Sequence, residues 1–276
     1  MLQTTATLIE RHTLGASQEL RLQAPALARS LTPGQAVLVK TGWGVEPYLR
    51  RTFYPAGLDD ESLTLRVPPG GDWGHAWLRT VAIGAQLDCL GPVGIGYSVP
   101  AGARNLLCLA EEDPATVAGS GCSAWALLPA IAAAAVGGRG KPSAVTFAME
   151  APSARDLIPA HRLPAAVEYH TAVRARRAAG HPGGGTTSEG VTQFLPELLP
   201  WADVVLAAGS LAFYSSLATA VRAARYELTR GFAQALYPAA FLCGVGACQA
   251  CVADLTTGRR RICQRGPVLD LLDVAG

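Results

Sequence analysis

The chain has 276 residues, of which 50% are hydrophobic and 16% charged, with a formal net charge of +2. That length suits two domains with a sizeable core, and that composition excludes a disordered chain. The near-neutral balance argues against a nucleic-acid-binding or membrane-surface protein. Its first residues, MLQTTATLIERHTL, lack the basic and apolar regions of a signal peptide. The longest apolar run, Ala124 to Val136, is short for a bilayer span and contains Pro129. The expectation is a soluble, cytoplasmic protein.

The first hundred residues read as β-rich. Thr5–Glu10, Glu19–Gln23, Ala36–Lys40, Tyr48–Tyr54, Ser62–Val67 and Gln86–Leu90 are short runs with partial alternation, separated by TPGQ, GLDDE and PPGG. Short strands at this spacing predict an antiparallel barrel or sandwich, with HAWLRTV as one short helix. From about residue 103 the rhythm changes. NLLCLA, SAVTFAME, AAVEYHTA and DVVLAAG are apolar runs of strand length, alternating with helical segments at Ser123–Val136 and Leu211–Thr229. That alternation predicts βαβ units and a parallel sheet. The Gly-rich stretch 174–190 reads as a flexible surface loop. The expected organisation is a β-barrel over 1–100, an α/β domain over 101–230 and a cysteine-rich segment over 231–276.

That last segment holds four of the seven cysteines, as Cys243-x4-Cys248-x2-Cys251-x11-Cys263. Disulfides, zinc and an iron–sulfur cluster are the chemistries that explain such crowding. A reducing compartment disfavours disulfides. Structural zinc sites usually pair their ligands as two short C-x2–4-C units, and here the fourth cysteine stands alone. The first three match the C-x4-C-x2-C run of plant-type [2Fe–2S] proteins. Gly244 and Gly246 suit a loop that turns tightly and aims N–H groups at anionic sulfur. Arg259, Arg260, Arg261 and Arg265 flank the last cysteine, which suits a thiolate cluster. Cys89, Cys108 and Cys122 stand singly in apolar surroundings and read as buried small hydrophobes. The five histidines, His12, His75, His161, His170 and His181, show no metal-ligand spacing.

Taken together, CGVGACQAC followed by CQRGPV, with LTPGQAVLVK and LGPVGIGY in the first hundred residues, resembles the electron-transfer subunit of dihydroorotate dehydrogenase B. That family lies within the ferredoxin–NADP reductase superfamily. The resemblance covers nearly the whole chain. It implies a flavin-binding barrel, a nicotinamide-binding α/β domain and a C-terminal [2Fe–2S] segment whose ligands are Cys243, Cys248, Cys251 and Cys263. It also implies a partner dehydrogenase that exchanges electrons with FAD and NAD(H) through the cluster.

The resemblance places the flavin motif at Arg51, Thr52, Phe53 and Tyr54, with Arg51 on the flavin pyrophosphate. Tyr54 stands where a small hydroxyl residue is expected. The next flavin segment falls at DWGHAWL, with Gly74 in place and His75 where a threonine is expected. Both nicotinamide motifs depart further. The Gly-rich loop after the first α/β strand is replaced by Glu111, Glu112 and Asp113, whose carboxylates repel a pyrophosphate. A glycine pair, Gly119 and Gly121, follows, with Ser120 or Ser123 available to cap a helix. The Cys-Gly-Pro signature reads Ala208-Gly209-Ser210. These departures argue against NAD(H) binding. The alternative is therefore a [2Fe–2S] relay or structural subunit that has lost NAD(H), and with it possible loss of FAD. No catalytic acid–base pair stands out, and Glu150 and His170 read as ordinary polar residues at element ends.

Overall fold

A computed structural model of the chain describes residues 1–42, 44, 48–138, 140–174, 190–225 and 229–275. All but the two end residues of the expected loop 174–190 lie outside the described residues.

The first third forms β1 (Leu2–Leu14), β2 (Ser17–Gln23), α1 (Pro25–Ser30), β3 (Ala36–Val39), β4 (Arg51–Phe53), β5 (Gly57–Leu58), β6 (Ser62–Val67), α2 (Trp73–Thr80) and β7 (Gln86–Val93). The strands pair antiparallel in the order β4-β3-β7-β1-β2-β6-β5, a curled half-barrel. Alternation drives the curl. In β7, Leu87, Cys89, Gly91 and Val93 are buried while their neighbours face outward. Leu8, Leu20, Leu22, Leu63, Leu65 and Leu87 from four strands meet inside. β1 runs well beyond the expected Thr5–Glu10 and carries a bulge between Leu8 and Glu10. The bulge sharpens the local twist, which lets one long strand serve two neighbours in a curved sheet.

The next part is a doubly covered sheet. Its elements are β8 (Asn105–Glu111), α3 (Pro114–Ser120), a 3-10 turn (Ala124–Leu127) running into α4 (Leu128–Ala135), β9 (Ala144–Ala151), β10 (Val167–Val173), α5 (Leu195–Trp201), β11 (Val204–Ala208), α6 (Leu211–Ala224) and β12 (Ala233–Leu236). β10, β9, β8, β11 and β12 pair parallel in that order. β8, β9 and β11 are almost continuously apolar because both faces are covered. α4 covers Leu106, Cys108, Phe147 and Met149, and α5 and α6 cover Leu107, Leu109, Ala148 and Val205. The cysteine-rich tail adds the hairpin β13 (Val252–Leu255) and β14 (Gly258–Arg261), then α7 (Ile262–Arg265), β15 (Val268–Asp270) and α8 (Leu271–Val274). β15 pairs antiparallel with β12, so the tail is woven into the edge of the parallel sheet.

Among the described residues no single helix is long and apolar enough to cross a membrane. α3 and the helical stretch 124–135 are apolar in sum but bend by 71° at their break.

Barrel and α/β half are clamped across a buried seam. Glu19 on β2 is 2% exposed and accepts both terminal nitrogens of Arg162, each at 2.9 Å. Arg66 on β6 pairs with Glu112, just beyond β8. The guanidinium groups of Arg66 and Arg162 lie over the Trp125 ring, 5.0 and 5.6 Å from its centroid. A cation on an aromatic face in a desolvated seam is attracted by the ring quadrupole.

A second seam seats the tail. Gly94, at φ +81°, follows β7, and a Cβ there would lie 2.2 Å from the Gly266 carbonyl oxygen. That same carbonyl accepts the Ile95 N–H at 2.5 Å. Gly94→Ala is expected to destabilise the chain by about 1–3 kcal/mol from the left-handed backbone alone, plus the clash. Hydrogen exchange should show the loss concentrated at Ile95 and Val268, and unchanged protection there would refute it.

Candidate iron–sulfur segment and its neighbouring sites

The four tail cysteines sit on one loop and just past the hairpin that follows it. The Cys263 N–H donates to the Cys251 sulfur at 3.5 Å, which brings these two together. Burial raises the Cys243 thiol, but hydrogen bonding from Cys248, Val245 and Ala247 outweighs it and brings the group down to about 6. Burial, then Cys251, pushes the Cys263 thiol up to about 12.

The local sequence explains this loop. Gly244 and Gly246 adopt φ +69° and +76°, and Gln249 takes φ +58°. Left-handed residues spaced along a short loop turn successive N–H groups to one side, the concave arrangement that receives anions. A Cβ on Gly246 would meet the Gln264 side chain at 2.5 Å. Gln264 donates to the Val245 carbonyl at 3.0 Å and Arg261 to the Gly246 carbonyl at 3.0 Å. The segment after the hairpin thus locks the first loop in place. Cys248 is exposed while Cys251 and Cys263 are buried.

Among the described residues, no group of three or more His, Cys, Asp or Glu side chains is gathered closely enough to hold a metal ion. The donor chemistry still fits a two-iron cluster: four soft sulfur ligands beside a loop whose left-handed residues turn N–H groups to one side. Cys89, Cys108 and Cys122 are buried, as expected. Burial pushes the Cys89 and Cys122 thiols up to about 12 and the Cys108 thiol higher still.

The residues expected at a flavin divide between two faces of β4. Arg51 pairs with Asp72 and donates to the Leu49 carbonyl at 2.6 Å. Asp72 caps α2, accepting from the His75 N–H at 3.2 Å and lying 2.9 Å from His75 Nδ1. Gly74 is needed in α2 because a Cβ would sit 2.3 Å from Thr41 Oγ1. That buried hydroxyl has no hydrogen-bond partner among the described residues. A guanidinium, an orphaned hydroxyl and the start of an eight-residue helix surround one place, but Asp72 already takes the guanidinium and the His75 N–H, so a phosphate fits there only by displacing that carboxylate. Phe53 instead packs into the barrel core, 5.7 Å from the His75 ring.

Thr52 and Tyr54 point the other way, into the junction with the tail. The Phe241 N–H donates to Thr52 Oγ1 at 2.7 Å, and the Tyr54 hydroxyl donates to the Ala239 carbonyl at 2.9 Å. Burial, reinforced by Cys122 and Cys251 nearby, pushes the Tyr54 phenol well up despite its Ala239 hydrogen bond. Sequence reading did not single out Thr41 or Asp72. Asp72 carried a signal, since Asp before a helical run is a preferred cap.

Asp72 gives a pH prediction. Burial raises its carboxyl, but Arg51 and the His75 N–H and ring outweigh that and hold it at about 2. A depressed carboxylate stabilises the fold above its unfolded value, about 3.9, and that contribution disappears as pH falls through the folded value. The Arg51–Asp72 contact should therefore release between about pH 4 and 2. A carboxyl NMR titration should give a midpoint near 2, and one near 4 would contradict the pairing.

At the carboxyl ends of the parallel strands, acidic residues turn inward. Glu111 accepts the Ser210 N–H at 2.9 Å and pairs with Arg174. Glu112 accepts the Ala124 N–H at 3.0 Å and the Ser123 hydroxyl at 2.9 Å, beside Arg66. Glu150 accepts the Val191 N–H at 2.7 Å and lies 3.6 Å from Arg174. Burial pushes the Glu150 carboxyl up against the pull of Val191 and Arg174, and Glu111 adds to the rise. Glu150 is thus a buried network member, more than the ordinary polar end residue expected. Asp113 caps α3, accepting the Thr116 N–H at 2.8 Å. His170 pairs at the surface with Glu168 at 3.0 Å.

Residues 239–275 match the iron–sulfur cluster binding domain of dihydroorotate dehydrogenase B. Over 264 residues the chain is 26% identical to the dihydroorotate dehydrogenase B (NAD(+)) electron transfer subunit of Shouchella clausii (strain KSM-K16). That alignment spans 94% of this chain and 92% of the relative. The fold superposes on the NADH-dependent reduced ferredoxin-NADP oxidoreductase with TM-score 0.72, covering 97% of this chain and 88% of that one at 17% identity. The chain has the fold of a ferredoxin-NADP oxidoreductase and is similar along most of its length to an electron-transfer subunit of dihydroorotate dehydrogenase B. The ferredoxin-NADP+ reductase from Plasmodium falciparum shares the fold at TM-score 0.58 and 10% identity, over 81% of this chain and 92% of that one. In this chain a half-barrel comes first and a parallel sheet second, with the cysteine segment last.

Proposed function

We propose that the chain is the electron-transfer subunit of an oxidoreductase, with a [2Fe–2S] cluster held by Cys243, Cys248, Cys251 and Cys263. The observation that carries this is the match of residues 239–275 to an iron–sulfur cluster binding domain, over a loop with left-handed Gly244, Gly246 and Gln249 and a Cys251 sulfur that accepts the Cys263 N–H. When bound, such a cluster accepts and releases single electrons. The chain's own residues orient the thiolates, supply N–H donors to the sulfurs and keep Cys248 at the surface, where electrons can pass to another protein. The partner by similarity is a dihydroorotate dehydrogenase-like catalytic subunit in a hetero-oligomer, in the cytoplasm.

FAD belongs to the same reading. Arg51, Thr41 and the start of α2, with Gly74 and His75, suit its pyrophosphate once Asp72 is displaced, and Thr52, Phe53 and Tyr54 frame the adjoining strand. Residues 1–100, 101–230 and 231–276 then act as flavin, nucleotide-type and cluster parts. A second reading, a relay without flavin, is favoured by Tyr54, whose ring fills the junction where the family motif has a small residue.

The test is an anaerobic visible spectrum of the purified full chain, with iron and acid-labile sulfide assays and a flavin extraction. Two irons and two sulfides per chain, with absorption that bleaches under dithionite, are expected. Extracted flavin selects the first reading and its absence the second. A colourless protein carrying zinc refutes both.

A further inference from the structure

In an open parallel sheet, nucleotides bind outside the carboxyl ends of the strands where the chain order reverses. Here that point lies between β8 and β11, since β8 is followed by β9 on one side and β11 flanks it on the other. The groups that would receive a pyrophosphate there are the free N–H groups at helix starts. Several of the polar groups around those starts are already taken. At α6, the Ser210 N–H donates to Glu111 and the Gly209 N–H donates to the Tyr214 hydroxyl at 2.9 Å. At the 3-10 turn leading to α4, the Ala124 N–H and the Ser123 hydroxyl donate to Glu112. Across β9, the Val191 N–H donates to Glu150. The two arginines in reach, Arg66 and Arg174, are paired with the same carboxylates.

Gly209 and Gly121 give no room either, whereas Gly119 stands exposed in open space. A Cβ on Gly209 would meet Phe213 at 2.6 Å and Glu111 Cβ at 3.0 Å. Gly121 is packed on the barrel, where a Cβ would lie 2.7 Å from the Thr52 carbonyl oxygen. Its glycine therefore serves the seam between the two halves and not an approach to phosphate. Glu111 and Glu112 are each 4% exposed, so neither swings into solvent without opening this packing.

We infer that the chain's own carboxylates, Glu111, Glu112 and Glu150, occupy the anion-binding N–H groups of the α/β half and close it to a nicotinamide dinucleotide. Reducing equivalents then enter or leave only through other proteins, and the α/β half serves as a scaffold for the tail. The consequence for electron flow rests on the electron-transfer reading, but closure of the site does not.

The experiment uses the full chain with its cluster. NADH and NADPH are titrated separately by isothermal calorimetry, and the same preparation is treated in a cuvette with NADH or with dithionite. The expected result is no saturable binding up to about 1 mM, the upper end of ordinary enzyme substrate affinities, and bleaching by dithionite alone. Saturable binding of either nucleotide below that concentration, or bleaching by NADH, overturns the inference. A chain that dithionite fails to bleach removes the electron-transfer reading, while the calorimetry still decides the closure.

Discussion

Cys251→Ala is expected to abolish the cluster, taking iron and acid-labile sulfide from about two per chain each, the content of a [2Fe–2S] cluster, to near zero. Cys251 is buried, receives the Cys263 N–H and begins the turn into the β13–β14 hairpin. Removing its sulfur leaves one iron with a single protein thiolate. Serine in its place is a less decisive variant, because an alkoxide can still ligate. The control is Cys108→Ala, which removes a sulfur from the sheet core and should keep full iron content.

Loss of the cluster should also loosen a defined part of the chain. Cysteine-ligated segments commonly draw their folding energy from the metal. The loop over 243–251 has little apolar anchorage of its own, with Leu242 and Val245 exposed. Hydrogen exchange on the alanine variant should show that loop unprotected. β15 should persist, because Val268 and Leu269 are buried and paired with β12. Full iron in Cys251→Ala would end the assignment of that ligand.

The parts legible in the sequence were those whose cause is local. Strand alternation marks the barrel, apolar runs mark β8, β9 and β11, and the cysteine spacing marks the tail. α2 was legible from its helical run, although it begins at Trp73, behind its Asp72 cap. Elements set by distant partners were not. β12, Ala233–Leu236, is an Ala-rich stretch with weak strand propensity, and it is a strand because β11 and β15 flank it. α6 ends at Ala224, short of the expected Thr229. The long run Ser123–Val136 splits into a 3-10 turn and α4, because Ser123 caps the turn and Pro129 starts the helix. The acidic stretch after β8 was read as a source of repulsion. Its neutralising partners Arg66 and Arg174 lie 46 and 63 residues away and cannot be assigned by local pattern. The tail's apolar residues serve mainly as packing. Phe241, Val268, Leu269 and Leu271 are buried, so packing claims most of them.

Those distant partners carry the second large effect. Glu112→Ala is expected to destabilise the chain by about 3–5 kcal/mol, the cost of stranding one member of a buried ion pair. Glu112 serves both halves at once: it holds Arg66 from the barrel while accepting the Ala124 N–H and Ser123 hydroxyl. Without it, Arg66 keeps its place over Trp125 but loses its counter-charge. Arg66 Nε is already buried without a hydrogen-bond partner, which leaves the guanidinium its longer 3.3 Å bond to the Ser123 hydroxyl. For a chain of this size the loss corresponds to a melting-temperature drop on the order of 6–20 °C. Glu112→Gln keeps an acceptor for the Ala124 N–H and should lose less. Because the pair is buried, its strength as well as its desolvation cost is at stake, and a double-mutant cycle separates them. Arg66→Met combined with Glu112→Leu replaces the charges by apolar volume and should recover most of the loss. If the single and double variants are equally destabilised, the seam depends on the shape around Trp125 and not on the ion pair.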